Sequence, residues 1–247
     1  MLRAAPRRPP RSALGARRGV RDQLLRQRTA TINALRGHLT EFGIVAPQRR
    51  DGLRQLLARL ADLEDERMPP LARQLLQTLV VHLRHLDTSI ADLDRRLVAT
   101  AHTDPIARML GARLAPSADV VSARSAAPGI GPVIATAFTA TVVDPQAFAS
   151  GRHLAASIGL VPAQHASGGK PRQLGISKRG DAYLRRQLIH GARSLVRVAK
   201  GGTGALFTWI NQLLARRPYN VVVAAVANKL ARIIWAMLAR GEAYRAA

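Results

Sequence analysis

The chain has 247 residues, with 38 Lys or Arg against 15 Asp or Glu, a formal net charge of +23 and a pI near 11.9. A charge that far from zero opposes a compact monomer unless a polyanion neutralises it, so nucleic acid is the first partner to consider. The sequence has no cysteine, which excludes disulfides and thiolate metal sites and suits a reducing cytoplasm, and its longest purely apolar run, Val221 to Ala227, is too short to span a bilayer.

All but four of the basic residues are Arg, the better bidentate phosphate donor, although GC-rich codon usage favours the same excess. A solvated basic face with no partner is one competing reading. An anionic membrane surface is another, but it needs Trp or Phe opposite a basic face, and an aromatic content of 4% gives it little support. The expected class is therefore a nucleic-acid-binding protein with no membrane association.

Residues 1–19 carry Pro6, Pro9 and Pro10 among arginines, which argues against the amphipathic helix of a transit peptide and predicts a disordered basic arm. Residues 20–103 read as a helical, coiled-coil-like region. Leu25, Ile32, Leu35, Leu39 and Phe42 recur at helical steps up to a C-capping Gly43, and a second helix runs from about Asp51 to Glu66 before Met68-Pro69-Pro70. The third helix has the clearest period. Leu76, Leu79, Leu83, Leu86, Ile90, Leu93 and Leu97 alternate steps of three and four, an a/d seam three heptads long. The seam serves equally for pairing with a second chain, giving a homo-oligomer through 76–97, or for folding back on the preceding helix. His82 and His85 read as surface residues.

Residues 104–247 form the expected C-terminal domain. His102 to Val120 reads as a loop with short helices, followed by Pro128-Gly129-Ile130-Gly131 opening a small-residue helix over 132–142. A glycine hairpin that opens a helix offers unpaired N–H groups to an anion, as in a helix-hairpin-helix that grips a DNA backbone; a plain turn that needs glycine is the alternative. Phe148 to Ile158 is helical with Ser150 as cap, and Leu160 to Ser177 is a Gly-rich loop or short hairpin. Gly180 to Lys200 is a basic helix stopped by Gly201-Gly202, and helices over 203–217 and 219–240 complete an all-α architecture with Trp209 and Trp235 in its core. Gly151 to Lys200 holds ten cations and one acid, Asp181.

That basic segment does not supply the several carboxylates a two-metal phosphoryl-transfer site needs. Hydroxyls remain. A serine attacks a phosphodiester when its proton is removed and the phosphate is held by cations, and Ser167 in Ser167-Gly168-Gly169-Lys170 has Lys170, Arg172 and His165 close in sequence. The run lacks Walker A spacing. The residues alone give a nucleic-acid-binding helical protein with its chemistry open.

Taken together, Pro128-Gly129-Ile130-Gly131-Pro132, the spaced set Phe148, Arg152, Ala155, Ala156 and Gly159-Leu160-Val161-Pro162, then Ser167-Gly168-Gly169-Lys170, Ile176-Ser177-Lys178-Arg179-Gly180-Asp181 and Tyr183-Leu184-Arg185 resemble the C-terminal domain of one insertion-sequence transposase family. Its members join an RNase H-like domain bearing four acids, through a helical linker, to a serine-bearing domain, and act as recombinases guided by a bridge RNA. Leu25 to Gly43 is similar to that linker, so the resemblance runs from about residue 20 to 240. It implies Ser167 as nucleophile on DNA. It also implies nucleic-acid contacts from Gly129, Gly131, Arg152, Lys170, Arg172, Lys178, Arg179, Arg185 and Arg186, with DNA and a guide RNA as partners. Two departures follow. The match begins after the acidic domain, so the expectation is a truncated copy that binds nucleic acid without exchanging strands alone, with no metal site of its own and magnesium bound only where the acidic domain is present. Lys170 to Ile176 also shifts the family's Arg-Leu-Gly order. A non-catalytic DNA- or RNA-binding module is the alternative.

Overall fold

A computed structural model of the chain describes residues 11–48, 50–62, 67–111, 127–167 and 170–245. Among the described residues, helix makes up 74% of the structure against a single two-stranded sheet, so the all-α expectation holds with one small exception. The chain divides into two compact units, one centred on residues 16–95 and the other on residues 96–247. The division falls within a long helix rather than at its end.

The first unit is built from α1 (Arg11–Glu41), α2 (Arg50–Ala61) and α3 (Pro70–Thr103). Helix α1 starts at Arg11, so residues 11–19, expected as part of a disordered arm, are helical; residues 1–10 lie outside the described residues. The physical reason is local. All three prolines of the arm precede Arg11, and the Ala, Leu and Arg that follow are good helix formers. The end of the second predicted helix, residues 63–66, also lies outside the described residues.

Two ion pairs define how α1 lies on α3. Arg21 Nε donates to Asp94 Oδ1 at 2.5 Å, and Arg28 Nε donates to Asp87 Oδ1 at 2.5 Å. From Arg21 to Arg28 is seven residues forward, and from Asp94 to Asp87 seven residues back, so the helices run antiparallel at heptad spacing. Continuing that register brings Leu35 and Leu39 toward Val80 and Leu76, and these four share a buried cluster with Leu56, Leu60 and Leu83. The a/d seam of α3 is thus taken up within the chain: Leu76, Leu83, Leu86 and Ile90 are all buried. Of the two uses the sequence left open, the intramolecular one accounts for these residues. Arg73 is buried at the turn between α2 and α3, where Nη1 reaches the Leu60 carbonyl and Nη2 the Met68 carbonyl, each at 3.5 Å. His82 and His85 are exposed, as expected.

In the second unit, α4 (Pro105–Leu110) is capped by Asp104, whose Oδ1 accepts from the Ile106 and Ala107 amides. The stretch from His102 to Val120, expected as a loop with short helices, includes this short helix, and its remainder from residue 112 lies outside the described residues. Then come α5 (Pro132–Thr141), α6 (Gly151–Ser157), a hairpin of β1 (Pro162–Ser167) and β2 (Lys170–Ile176), α7 (Ala182–Val198), α8 (Ala205–Leu214) and α9 (Tyr219–Arg240). The segment read as loop or short hairpin is the hairpin, with an irregularity between Pro162 and Gln164.

Helix α9 is the centre of this unit. Val222, Val223, Val226, Ala227, Leu230, Ala231 and Ile234 are buried, and α6, α7 and α8 pack against it. By length and composition α9 also satisfies the requirement for crossing a membrane, which the unbroken run Val221 to Ala227 does not. Here its apolar side is the core, and Asn228, Lys229 and Arg232 interrupt the other side.

Candidate nucleic-acid interface

The Pro128-Gly129-Ile130-Gly131 turn is a reverse turn closed by the Ile130 amide donating to the Ala127 carbonyl at 3.2 Å. Pro128 at its second position and Gly129 at its third, with φ +76°, match a type II turn, which requires a positive φ there. Gly131 is the N-cap of α5, with Pro132 as the first helical residue, so the helix mouth carries no side-chain cap. The two glycines differ in what surrounds them. A Cβ on Gly131 would meet open space, whereas one on Gly129 would press on Leu195 of α7 at 2.8 Å and on the Gly191 carbonyl at 3.1 Å. A Cβ on Gly191 would in turn collide with the Gly129 carbonyl. Gly129 is therefore needed for packing the turn onto α7, while Gly131 is the one placed at an open helix mouth. A helix-hairpin-helix requires a helix directly before the turn, and the residues that precede it, 112–126, lie outside the described residues.

A second junction joins the end of α6 to the start of α7. Gly159 and Gly180 both have positive φ, +76° and +71°, and side chains there would run into the backbone of Arg179 and Ser157 respectively. The Ser177 amide donates to the Val161 carbonyl at 2.8 Å and the Lys178 amide to the Gly159 carbonyl at 3.2 Å. Arg185 fastens the junction, because its Nη1 donates to the Ile158 carbonyl at 2.7 Å and the Arg179 carbonyl at 2.8 Å. Arg185 thus carries a structural load that its place among basic residues did not signal. Asp181, the one acid of the basic segment, is the N-cap of α7 and accepts from the Tyr183 and Leu184 amides at 2.8 and 3.0 Å. Lys178 is exposed and adopts φ +56°, a left-handed conformation that costs a non-glycine residue roughly 1 kcal/mol. Arg179 is exposed beside it.

The hairpin register pairs Ser167 with Lys170 and His165 with Arg172. Positions two apart along a strand, with their cross-strand partners, share one face of a ribbon, so the backbone brings these four positions together at its far end. Gly168 and Gly169 lie outside the described residues, as do the side chains of residues 165–173.

On α7, Arg186, His190, Arg193 and Arg197 follow at steps of four, three and four and are all exposed, a basic stripe. Arg186 stands 5.7 Å from the centroid of the Tyr183 ring. The pKa of His190 is lowered from 6.5, first by burial and then by the charges of Arg193 and Arg186. Arg152, on the first turn of α6, lines a shallow depression with Lys229 and Arg232. Those last two also line a larger groove of about 750 Å³ that reaches Arg193, Trp209 and the base of the hairpin. Lys229 Nζ sits 4.3 Å over the Trp209 ring. Trp209 and Trp235 are partly buried and pack against the core of this unit, in line with the expectation, and Trp235 Nε1 donates to the Pro145 carbonyl at 3.0 Å.

Lys229 and Arg232 were missed from sequence. The available signal was two cations and Asn228 interrupting an otherwise apolar helix. Among the described residues, no group of three or more His, Asp or Glu converges, so these residues do not fit a magnesium ion.

Comparison with known proteins matches the segment that holds both junctions. Residues 125–205 match the model of the transposase IS116/IS110/IS902 family. The chain is 43% identical over 228 residues to a probable family 20 transposase of Pseudomonas aeruginosa, covering 92% of this chain and 63% of that protein. It is 37% identical over 226 residues to the transposase for insertion sequence element IS1111A of Coxiella burnetii, covering 92% and 58%. It is 35% identical over 240 residues to the transposase for insertion sequence element IS1328 of Yersinia enterocolitica, covering 97% and 66%. The chain therefore spans roughly three-fifths of the length of these relatives. The turn at Gly129, the hairpin and the capped basic helix all fall inside the matched region, and the chain belongs to the IS116/IS110/IS902 transposase family.

Proposed function

We propose that this chain works in DNA transposition, holding DNA on the basic face of α7 and attacking a phosphodiester with Ser167. The single observation that supports the chemistry is the hairpin register, which sets Ser167 opposite Lys170 and two positions from the His165–Arg172 pair. In the step, Ser167 Oγ forms a bond to phosphorus, the bond to one deoxyribose oxygen breaks, and the proton lost by the hydroxyl balances the one the leaving oxygen gains. Cations at the hairpin end hold the phosphate and offset the charge that develops on it. In this reading DNA and a structured guide RNA are the partners, and strand exchange needs carboxylates contributed from outside the described residues.

The test is a covalent capture. Labelled DNA carrying an element end is incubated with the chain, with and without a separately expressed acidic domain of a full-length relative, and resolved under denaturing conditions. A protease-sensitive adduct that disappears in Ser167→Ala supports the assignment, and an adduct that persists in that variant overturns it. A second reading, a binding module without chemistry, is favoured by Arg185, whose Nη1 is engaged by backbone carbonyls. It predicts salt-dependent DNA binding and no adduct under either condition.

A further inference from the structure

The groove of about 750 Å³ in the second unit has a mixed lining that neither the Ser167 hairpin end nor the α7 stripe accounts for. Its walls are apolar: Leu160, Ile176, Ile189 and Val223. Leu174 and Val221 stand at the groove while 47% and 52% exposed, large apolar side chains left open to solvent where an occupant would cover them. Three cations, Arg193, Lys229 and Arg232, line it with no carboxylate among the lining residues, and Lys229 is held in place over the Trp209 ring. Asn220 adds an exposed amide group able to bond to a base edge, while Asn228 Nδ2 donates to the Leu160 carbonyl at 3.2 Å and helps hold the groove wall.

We infer that this groove takes an unpaired nucleotide of a single strand, with its base on the apolar wall and its phosphates on Arg193, Lys229 and Arg232. The inference rests on the nucleic-acid reading above and narrows it to one conformation of the ligand. Charge complementarity selects a polyanion. Concavity then selects among polyanions. A duplex is convex and keeps its bases stacked inside, so it delivers a base to a recess only by extruding it. A flat anionic surface offers nothing to fill the recess. A single strand supplies both halves of the match, a flat apolar face and a phosphate on each side of it. The volume lies within the range of about 300–1,000 Å³ typical of small-molecule pockets, room for a nucleotide but not for a folded domain. The groove adjoins the base of the hairpin through Pro162 and Leu174 to Ile176, so a strand seated here runs toward the end that bears Ser167.

The test uses the full chain and three probes: a twelve-nucleotide oligothymidylate, its fully abasic counterpart and a twenty-base-pair duplex, each measured by fluorescence anisotropy at low salt. The expected result is an intact single strand bound at least about tenfold tighter than the abasic one, the scale that base stacking contributes. Val221→Glu and Leu174→Glu alter exposed positions and leave the core intact; each is expected to bring that ratio close to one, with a loss for the intact single strand about tenfold larger than the general electrostatic loss seen with the duplex. Equal affinities for intact and abasic strands overturn the inference, as does a ratio that survives both substitutions. If the duplex binds while the single strands are not distinguished, the groove assignment fails and the broader DNA reading stands. If no nucleic acid binds, both fail. An oligoglutamate peptide that matches the intact strand in affinity, and in sensitivity to Val221→Glu, also overturns the inference, leaving only an anion groove.

Discussion

Arg185 separates two explanations of a basic cluster, one structural and one ligand-directed, and Arg185→Ala decides between them. Its Nη1 serves two main-chain carbonyls, Ile158 at 2.7 Å and Arg179 at 2.8 Å. A hydrogen bond from a charged donor contributes about 1.5–3 kcal/mol, but one nitrogen shared between two acceptors does not give twice that, and Arg185 is only half-buried. The net loss on truncation is therefore about 1–3 kcal/mol, which for a chain of this size lowers Tm by roughly 2–12 °C. The second observable is the salt dependence of DNA binding. Each neutralised phosphate adds about 0.9 to the slope of log K against log salt. As a main-chain fastener, Arg185 can be removed with that slope unchanged; as a phosphate contact, its loss lowers the slope by about one. The expected pattern is a lower Tm with the slope intact in Arg185→Ala. A reduced slope is expected of Arg186→Ala, since Arg186 is exposed on the basic stripe. A variant with wild-type Tm and a reduced slope refutes the structural account of Arg185.

Gly191→Ala, which in an exposed helix gains about 1 kcal/mol, is expected to destabilise this chain by about 1–3 kcal/mol in urea titration, because the new methyl meets the Gly129 carbonyl. Lys178→Gly relieves the φ of +56° and is expected to raise stability by about 0.5–1 kcal/mol while weakening DNA binding, a split visible by melting and anisotropy on one sample. The lowered pKa of His190 means that the unfolded chain binds its proton more readily than the folded chain. The corresponding stability is intact above pH 6.5 and is lost as pH falls from 6.5 through the folded value. Arg193→Gln removes one of the depressing charges, so the His190 midpoint followed by NMR is expected to move up toward 6.5.

The periodic parts of the fold were legible because side-chain spacing encodes them directly. Leu76 to Leu97 announced a helix with one apolar stripe, and the basic helix read over Gly180 to Lys200 contains α7, although the capping role of Asp181 was not read from the sequence. What spacing cannot encode is the identity of the covering partner. That was decided by Arg21 and Arg28 meeting Asp94 and Asp87 across α1 and α3, pairs far apart in sequence. The start of α1 was misjudged because a basic composition was read across the prolines as one segment, although the prolines end where the helix begins. At the candidate interface the glycines were found but their roles were not. A single glycine letter does not say whether its freedom serves a turn, as at Gly159, or the close approach of another backbone, as at Gly191 in mid-helix. Arg185 went unrecognised for a similar reason: nothing in a run of cations marks the one whose guanidinium points inward. Lys229 and Arg232 do not stand out by net charge, which is diluted in α9; what marks them is their place as cations against an apolar background.

The contact between Gly129 and Gly191 also fixes a distance. Each glycine presses bare main chain on the other, with no side chain between them to change rotamer and take up slack. The mouth of α5 and the outer row of α7 are therefore spaced by two backbones, the least compressible shim a protein has. A ligand that touches Gly131 and Arg193 together meets a fixed span rather than two sites that adjust independently. Its own geometry must match that span, and this makes the pair a gauge for the ligand as well as a joint in the fold.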